Sequence, residues 1–262
     1  LAGAEAAYRR ALELEPENVD AALRLGFSLL GQARTAEAEA AFVAAAKLAP
    51  EAAQPLIGQA AAQAASGTDG SIERATESLA KAVALAPDNA LGQTLTGLVN
   101  MRQGAAQPAR AALERAIALD PNTYQAHAHL SVVELAEGNI VPALTAAQKA
   151  VGLAPASGLA RESLATVHFF ASDLQAARDE VDLALEASPN SATAHLLSSD
   201  IYVAEGNLTD GLAEAEYSVS LDPLLGPAYS ALGMILLAEN DLRQAERAFV
   251  KALDLSPKLV AA

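Results

Sequence analysis

The 262-residue chain has no cysteine and no tryptophan, and aromatic residues make up only 4% of it. Without cysteine there can be no disulfide, no thiolate nucleophile and no cysteine-ligated metal. Positive charge is scarce as well. Seventeen lysines and arginines stand against 32 aspartates and glutamates, a formal net charge of −15. That balance argues against a nucleic-acid backbone or an anionic membrane surface as the main partner. No apolar run is long enough to span a bilayer, and Leu1 to Arg10 lacks the pattern of a signal peptide, so direct membrane insertion is not expected. Catalytic signatures are missing too: there is no HExxH, EF-hand loop, GxSxG, Walker loop or GxGxxG. The expectation is a protein that is not an enzyme and needs no cofactor or metal.

What the chain does have is alanine, few β-branched residues and a period. The composition favours helix over sheet. Pro16, Pro50, Pro87, Pro121, Pro155, Pro189, Pro223 and Pro257 are spaced by 34 residues, except for 37 between Pro50 and Pro87. The three extra residues are assigned to "ASGTDGS", a turn-rich stretch suited to an enlarged loop. Small residues keep the same phase. Twelve before each proline lie Ala4, Ala38, Ala75, Ala109, Ala143, Ala177, Gly211 and Ala245. Ten after it lie Gly26, Ala60, Gly97, Ser131, Ala165, Ser199 and Gly233. Small residues at fixed places between larger Leu, Tyr and Phe let helix backbones approach closely. Gly67, Gly104, Gly138 and Gly206 fall where a left-handed helix C-cap is expected.

The period and its small positions resemble the tetratricopeptide repeat family, whose unit is two antiparallel helices. The last unit carries the pattern most fully, in Tyr229, Leu232, Gly233, Leu236, Ala245, Phe249, Ala252 and Pro257. The resemblance covers essentially the whole chain. It implies an all-α fold, an α-solenoid in which antiparallel helix pairs wind into a right-handed superhelix. The alanine-rich, lysine-poor usage resembles bacterial members of that family. Full repeats are read at 19–52, 53–89, 90–123, 124–157, 158–191, 192–225 and 226–259. Residues 1–18 read as the second helix of a further repeat, and 260–262 as the start of another first helix. Arrays normally finish with a polar capping helix. Neither end shows one, which reads as a piece of a longer protein and leaves self-association through the ends open.

The four histidines are the natural candidates for chemistry. His127 and His195 stand where Tyr229 stands in the last repeat, and His168 at another packing position, so a partly buried histidine bonded to backbone is expected at each. His127 and His129 are two apart on a helix and cannot chelate one ion. The carboxylates of "RDEVDLALEA" read as a solvated outer face. A polar cluster of His129, Glu162, Ser163, Thr166 and Asp200 suits hydrogen bonding to a bound chain better than acid–base catalysis.

In the family the first helices line the concave inner surface. Carried over position by position, that lining comprises Leu23, Arg24 and Phe27, then Leu95, Leu98, Met101 and Arg102. His129 and Val132 follow, then Glu162, Thr166, Phe169 and Phe170, and finally Leu197, Asp200 and Met234. None of the five lysines falls at the clamp positions of chaperone-tail adaptors, and the asparagine ladder of the glycosyltransferase members is missing. What remains is a long, mostly apolar groove with acidic points. The expected role is a protein–protein interaction scaffold that binds a peptide or amphipathic helix through hydrophobic anchors, Phe169 and Phe170 foremost. The alternative is the substrate-recognition arm of an enzyme whose catalytic domain lies outside this sequence.

Overall fold

The computed structural model describes residues 2–68 and 70–255, and these form fifteen α-helices joined by short turns. The start of a further helix read at 260–262 lies outside the described residues, as does Pro257. The helices are α1 (Ala2–Leu14), α2 (Val19–Leu30), α3 (Thr35–Leu48), α4 (Ala53–Ser66) and α5 (Ser71–Leu85). Next come α6 (Ala90–Arg102), α7 (Ala106–Leu119), α8 (Tyr124–Ala136), α9 (Ile140–Leu153) and α10 (Gly158–Phe170). The series ends with α11 (Leu174–Ala187), α12 (Ala192–Ala204), α13 (Leu208–Leu221), α14 (Gly226–Ala238) and α15 (Leu242–Leu255). Among the described residues there is no strand. The chain is an all-α solenoid in which consecutive helices pack on one another.

The recurrent proline explains where the second helix of each pair stops. The residue before it is pushed out of the helical region by the pyrrolidine ring. Ala49, Ala86, Asp120, Ala154, Ser188 and Asp222 all sit at φ between −133° and −142° with ψ from 71° to 98°. Two residues beyond the proline, a short polar side chain often opens the next helix. Asn18, Asn89, Ser157 and Ser191 each accept a hydrogen bond from a backbone amide of the first turn. Such a cap contributes about 1 kcal/mol.

The turn inside each pair is made differently. It needs one residue in the left-handed region, and the four expected glycines hold it at Gly67, Gly104, Gly138 and Gly206. In the remaining pairs Ala33, Ser172 and Asn240 occupy the same place at φ of 58°, 62° and 65°. A side chain there costs energy that glycine avoids. The surplus between Pro50 and Pro87 is spread over α4, the α4–α5 connection and α5: α4 is 14 residues long against 13 for α6, and α5 15 against 14 for α7.

Two compact units make up the chain, Leu1–Val133 and Glu134–Ala262, and the division falls inside α8. In the first, α2 packs on α3 and α4, α4 on α5 and α6, and α6 on α7. In the second, α10 packs on α9, α11 and α12, and α12 on α13 and α14. The phased small residues sit at these contacts. Ala38, Ala75, Ala109, Ala143 and Ala177 are wholly buried, as are Ser131, Ala165 and Ser199. Ala4, at the same place of α1, is exposed. Phe42, also wholly buried, lies between α2 and α4. A Cβ on Gly26 would come within 2.6 Å of its ring, and one on Gly58 within 2.3 Å. The large ring is accommodated because both facing positions carry no side chain.

Ala143→Leu is expected to destabilise the fold by about 1–3 kcal/mol through overpacking. An unchanged urea midpoint would remove Ala143 from the helix contact. Ala33→Gly should act in the opposite direction, by about 1 kcal/mol, since it relieves a left-handed alanine. A lower midpoint would show that the alanine is not strained there.

Candidate functional site: the face of the first helices

The first helices of successive pairs are α2, α4, α6, α8, α10, α12 and α14. Position-by-position alignment places their side chains in rows. One row is Phe27, Ala61, Leu98, Val132, Thr166, Asp200 and Met234, and the next is Leu30, Ala64, Met101, Leu135, Phe169, Val203 and Leu237. Because α2, α4 and α6 pack side by side, and so do α10, α12 and α14, the rows are continuous within each compact unit.

In the first unit, Leu23 is 9% exposed and belongs to the core around Phe42 and Leu29. Leu95 packs on Ala60, Leu79 and Val99, and Met101 on Leu113 and Val133. Leu98 and Val132 are half-buried. Phe27 is exposed and stands edge-on to Phe42, with ring centroids 4.9 Å apart. Arg24 is exposed and paired with Asp20 one turn earlier at 2.6 Å. Arg102 reaches across to donate to the Ala64 carbonyl. Its charge also bears on half-buried His129, whose pKa is pushed down to about 4, first by lost hydration and then by Arg102.

In the second unit, Leu197 is 7% exposed and packs with Ile201, Val181 and Ala165. The two adjacent phenylalanines separate. Phe169 turns onto that same core, whereas Phe170 is 62% exposed, and their rings meet edge to face at 5.6 Å. Met234 is 64% exposed, with Leu237 and Val203 also open to solvent. Glu162 accepts a hydrogen bond from the Ser191 hydroxyl at the N-terminus of α12, 3.1 Å away. Lost hydration raises its pKa against the lowering effect of Thr193 and Ser191. Thr166 is turned back to the Glu162 carbonyl at 2.8 Å, and Ser163 to the Ala160 carbonyl. Asp200 is half-buried, and lost hydration alone pushes its pKa up to about 6.

Three of the histidines are held by neighbouring groups. His127 Nε2 lies 3.1 Å from the Pro121 carbonyl, and His195 Nε2 lies 3.0 Å from that of Pro189. His195 Nδ1 also meets Glu214 at 2.6 Å. His168 lies 3.8 Å from Asp173. Among the described residues, no three His, Asp or Glu side chains converge as a metal site. The charged run on α11 is less solvated than its composition suggests. Glu180 pairs with Arg161 at 2.8 Å, and Arg178 pairs with Glu205 while lying over the Tyr202 ring.

Sequence reasoning passed over apolar surface outside the first helices. Val141, at the start of α9, is 75% exposed. A cleft of about 430 Å³ lies between α1, α2 and α3, lined by Leu12, Leu25, Leu29, Ala41, Ala44 and Leu48 among others. The signal was present at Ala44, since the equivalent places hold the larger Lys81, Arg115, Lys149, Leu183, Tyr217 and Lys251.

Tetratricopeptide repeat models match residues 1–53, 67–121, 107–158 and 159–224, and a further one matches 226–259. The chain belongs to the tetratricopeptide repeat family. That family serves in protein–protein interaction, as a scaffold that is generally not catalytic. No curated protein sequence matches the chain. The fold is similar to a chain of the APC/C hetero-tetramer Cut9–Hcn1, with 18% identity and a TM-score of 0.77 over 97% of this chain. This chain spans about half of that one, 49%. It is also similar to pilF of Pseudomonas aeruginosa, with 20% identity and a TM-score of 0.56 over 78% of this chain and 92% of that one. A third similar structure is IFIT1 with m7Gppp-AAAA, at 14% identity and a TM-score of 0.68 over 96% and 67% of the two chains. At these identities the likenesses concern the fold alone.

Asp200 and His129 pull the pH dependence of stability in opposite directions. Lost hydration raises the pKa of the native Asp200 carboxyl to about 6, above the ordinary aspartate range, so stability from this group falls as pH rises through that interval. Lost hydration and Arg102 lower that of the native His129 imidazole to about 4, below the ordinary histidine range, so stability is lost as pH falls through that interval. Asp200→Asn should therefore steepen the loss of stability on acidification, and His129→Gln should flatten it. Urea midpoints measured across the window decide, and profiles parallel to the parent's would contradict both assignments.

Proposed function

We propose that the first-helix face binds a peptide or amphipathic helix of a partner protein through hydrophobic anchors. The observation that carries this reading is the exposure of Phe170, Met234 and Leu237 on the first helices of the second unit, outside the core clusters of that unit. Apolar side chains left open in a contiguous strip are the surface that a partner's side chains can dehydrate. Buried Leu197 and half-buried, inward-turned Phe169, members of the expected lining in the same unit, pack in the core beneath that strip. Phe170 takes the anchor role that the pair was expected to share. In this reading the chain supplies positioned surface and no chemistry of its own. The same surface would serve as the recognition arm of a larger enzyme, with the difference residing in other domains.

Peptides selected from a displayed random library against the whole chain should bind this face. Phe170→Ala combined with Met234→Ala should weaken them about tenfold or more, as loss of central anchors does, with little change in melting temperature. Phe169→Ala should instead lower the melting temperature. If the peptides are indifferent to the double substitution, the anchors are elsewhere.

A further inference from the structure

The row Phe27, Ala61, Leu98, Val132, Thr166, Asp200, Met234 contains one ionisable residue, and the row beside it contains none. Asp200 thus stands in the middle of α10, α12 and α14 with Thr166 on one side, Met234 on the other and Val203 one turn further along its own helix. It has no hydrogen-bond or ion-pair partner among the described residues. The basic side chains of the same unit's first helices are committed elsewhere. Arg161 donates to the Pro155 carbonyl and pairs with Glu180. His195 is held by Pro189 and Glu214, and His168 lies against Asp173. Arg178, on the neighbouring α11, is engaged by Glu205 and Tyr202. Glu162, the other carboxylate of this face, differs because it is already fastened to the N-terminus of α12.

A carboxylate kept half-buried without a partner is a standing cost to the fold, since burial disfavours its charge. A cation brought by a ligand removes that cost and gains a charge-assisted hydrogen bond in a poorly hydrated place. Met234 on one side is apolar, and Thr166 on the other has its hydroxyl turned back to the Glu162 carbonyl, so the cation must arrive beside side chains that offer it no other polar partner. Phe170, Met234 and Leu237 are exposed on α10 and α14, the two first helices that flank α12.

We infer that Asp200 selects the charge of the partner: the segment docking on α10, α12 and α14 carries a lysine or arginine set between apolar side chains. This rests on the reading of that face as a protein-docking surface. Complementary charge of this kind fixes register and rejects wrong partners more than it adds raw affinity. An acidic or phosphorylated segment would be repelled at the same point, since its charge would face a carboxylate with nothing to neutralise it.

The test extends the random-peptide selection to three forms of the whole chain: parent, Asp200→Asn and Asp200→Lys. Selection on the parent should enrich peptides with Lys or Arg among aliphatic or aromatic residues. Those peptides should bind Asp200→Asn about tenfold or more weakly, measured by fluorescence anisotropy. Selection on Asp200→Lys should lose the basic preference and favour Asp or Glu. Circular dichroism melts of the variants establish that each is folded. Peptides that depend on Phe170 and Met234 but bind Asp200→Asn as tightly as the parent would overturn the inference and leave the docking face standing. Peptides indifferent to Asp200, Phe170 and Met234 alike would overturn both.

Discussion

Close approach between neighbouring helices is the constraint on which the rest of this structure depends. Every pair meets through residues that are Ala, Gly or Ser in the same places of each repeat, and these are buried almost without exception. The consequence is clearest at Phe42, where one ring fills the space left by Gly26 and Gly58 on two successive first helices. Dense packing of this sort gains from many small dispersion contacts and tolerates little added volume. It also uses only one stripe of each first helix. The other stripe is left over, and that surplus is the surface proposed for a partner.

The turns do a different job. Proline ends each second helix by displacing the residue before it, and a left-handed residue folds each pair back on itself. Neither device depends on distant contacts, so the geometry of each pair is written locally and then repeated. This is why stability in such arrays is approximately a sum over repeats and their nearest-neighbour interfaces. Ala33, Ser172 and Asn240 show that the fold will hold an unfavourable backbone angle where the surrounding contacts require it. Charged residues add a second layer of contact between repeats. Arg34 and Arg9 meet Glu5 and Glu37 between α1 and the start of α3, and Arg178 joins α11 to the end of α12. Most of these pairs are solvated, and individually such bridges contribute little.

The fold was legible because it rests on these local and periodic features. Proline spacing, phased alanines and four turn glycines identify helix pairs without any knowledge of how they stack. Even α4, whose sequence matches the repeat models least well, forms a full helix from Ala53 to Ser66, since its neighbours impose the register. His127 and His195 were legible for the same reason, as their repeat positions are packing positions. The lining of the face was legible only as a list. A one-letter pattern places Phe169 and Phe170 on the same turn, but it does not say which ring the α11 and α12 core will take up. Nor does it show that Glu162 finds Ser191 while Asp200 finds nothing.

By itself, then, the sequence determined the all-helical character, the repeat length, the positions of the turns and the family. These follow from backbone restrictions and from periodic side-chain size, both of which act over a few residues. Tertiary structure alone decided which apolar residues remain open, how far Asp200 and His129 lose their water, and which charges are already spoken for. Those outcomes depend on side chains brought together from separate helices, and burial is a property of that gathering and of no single stretch of chain.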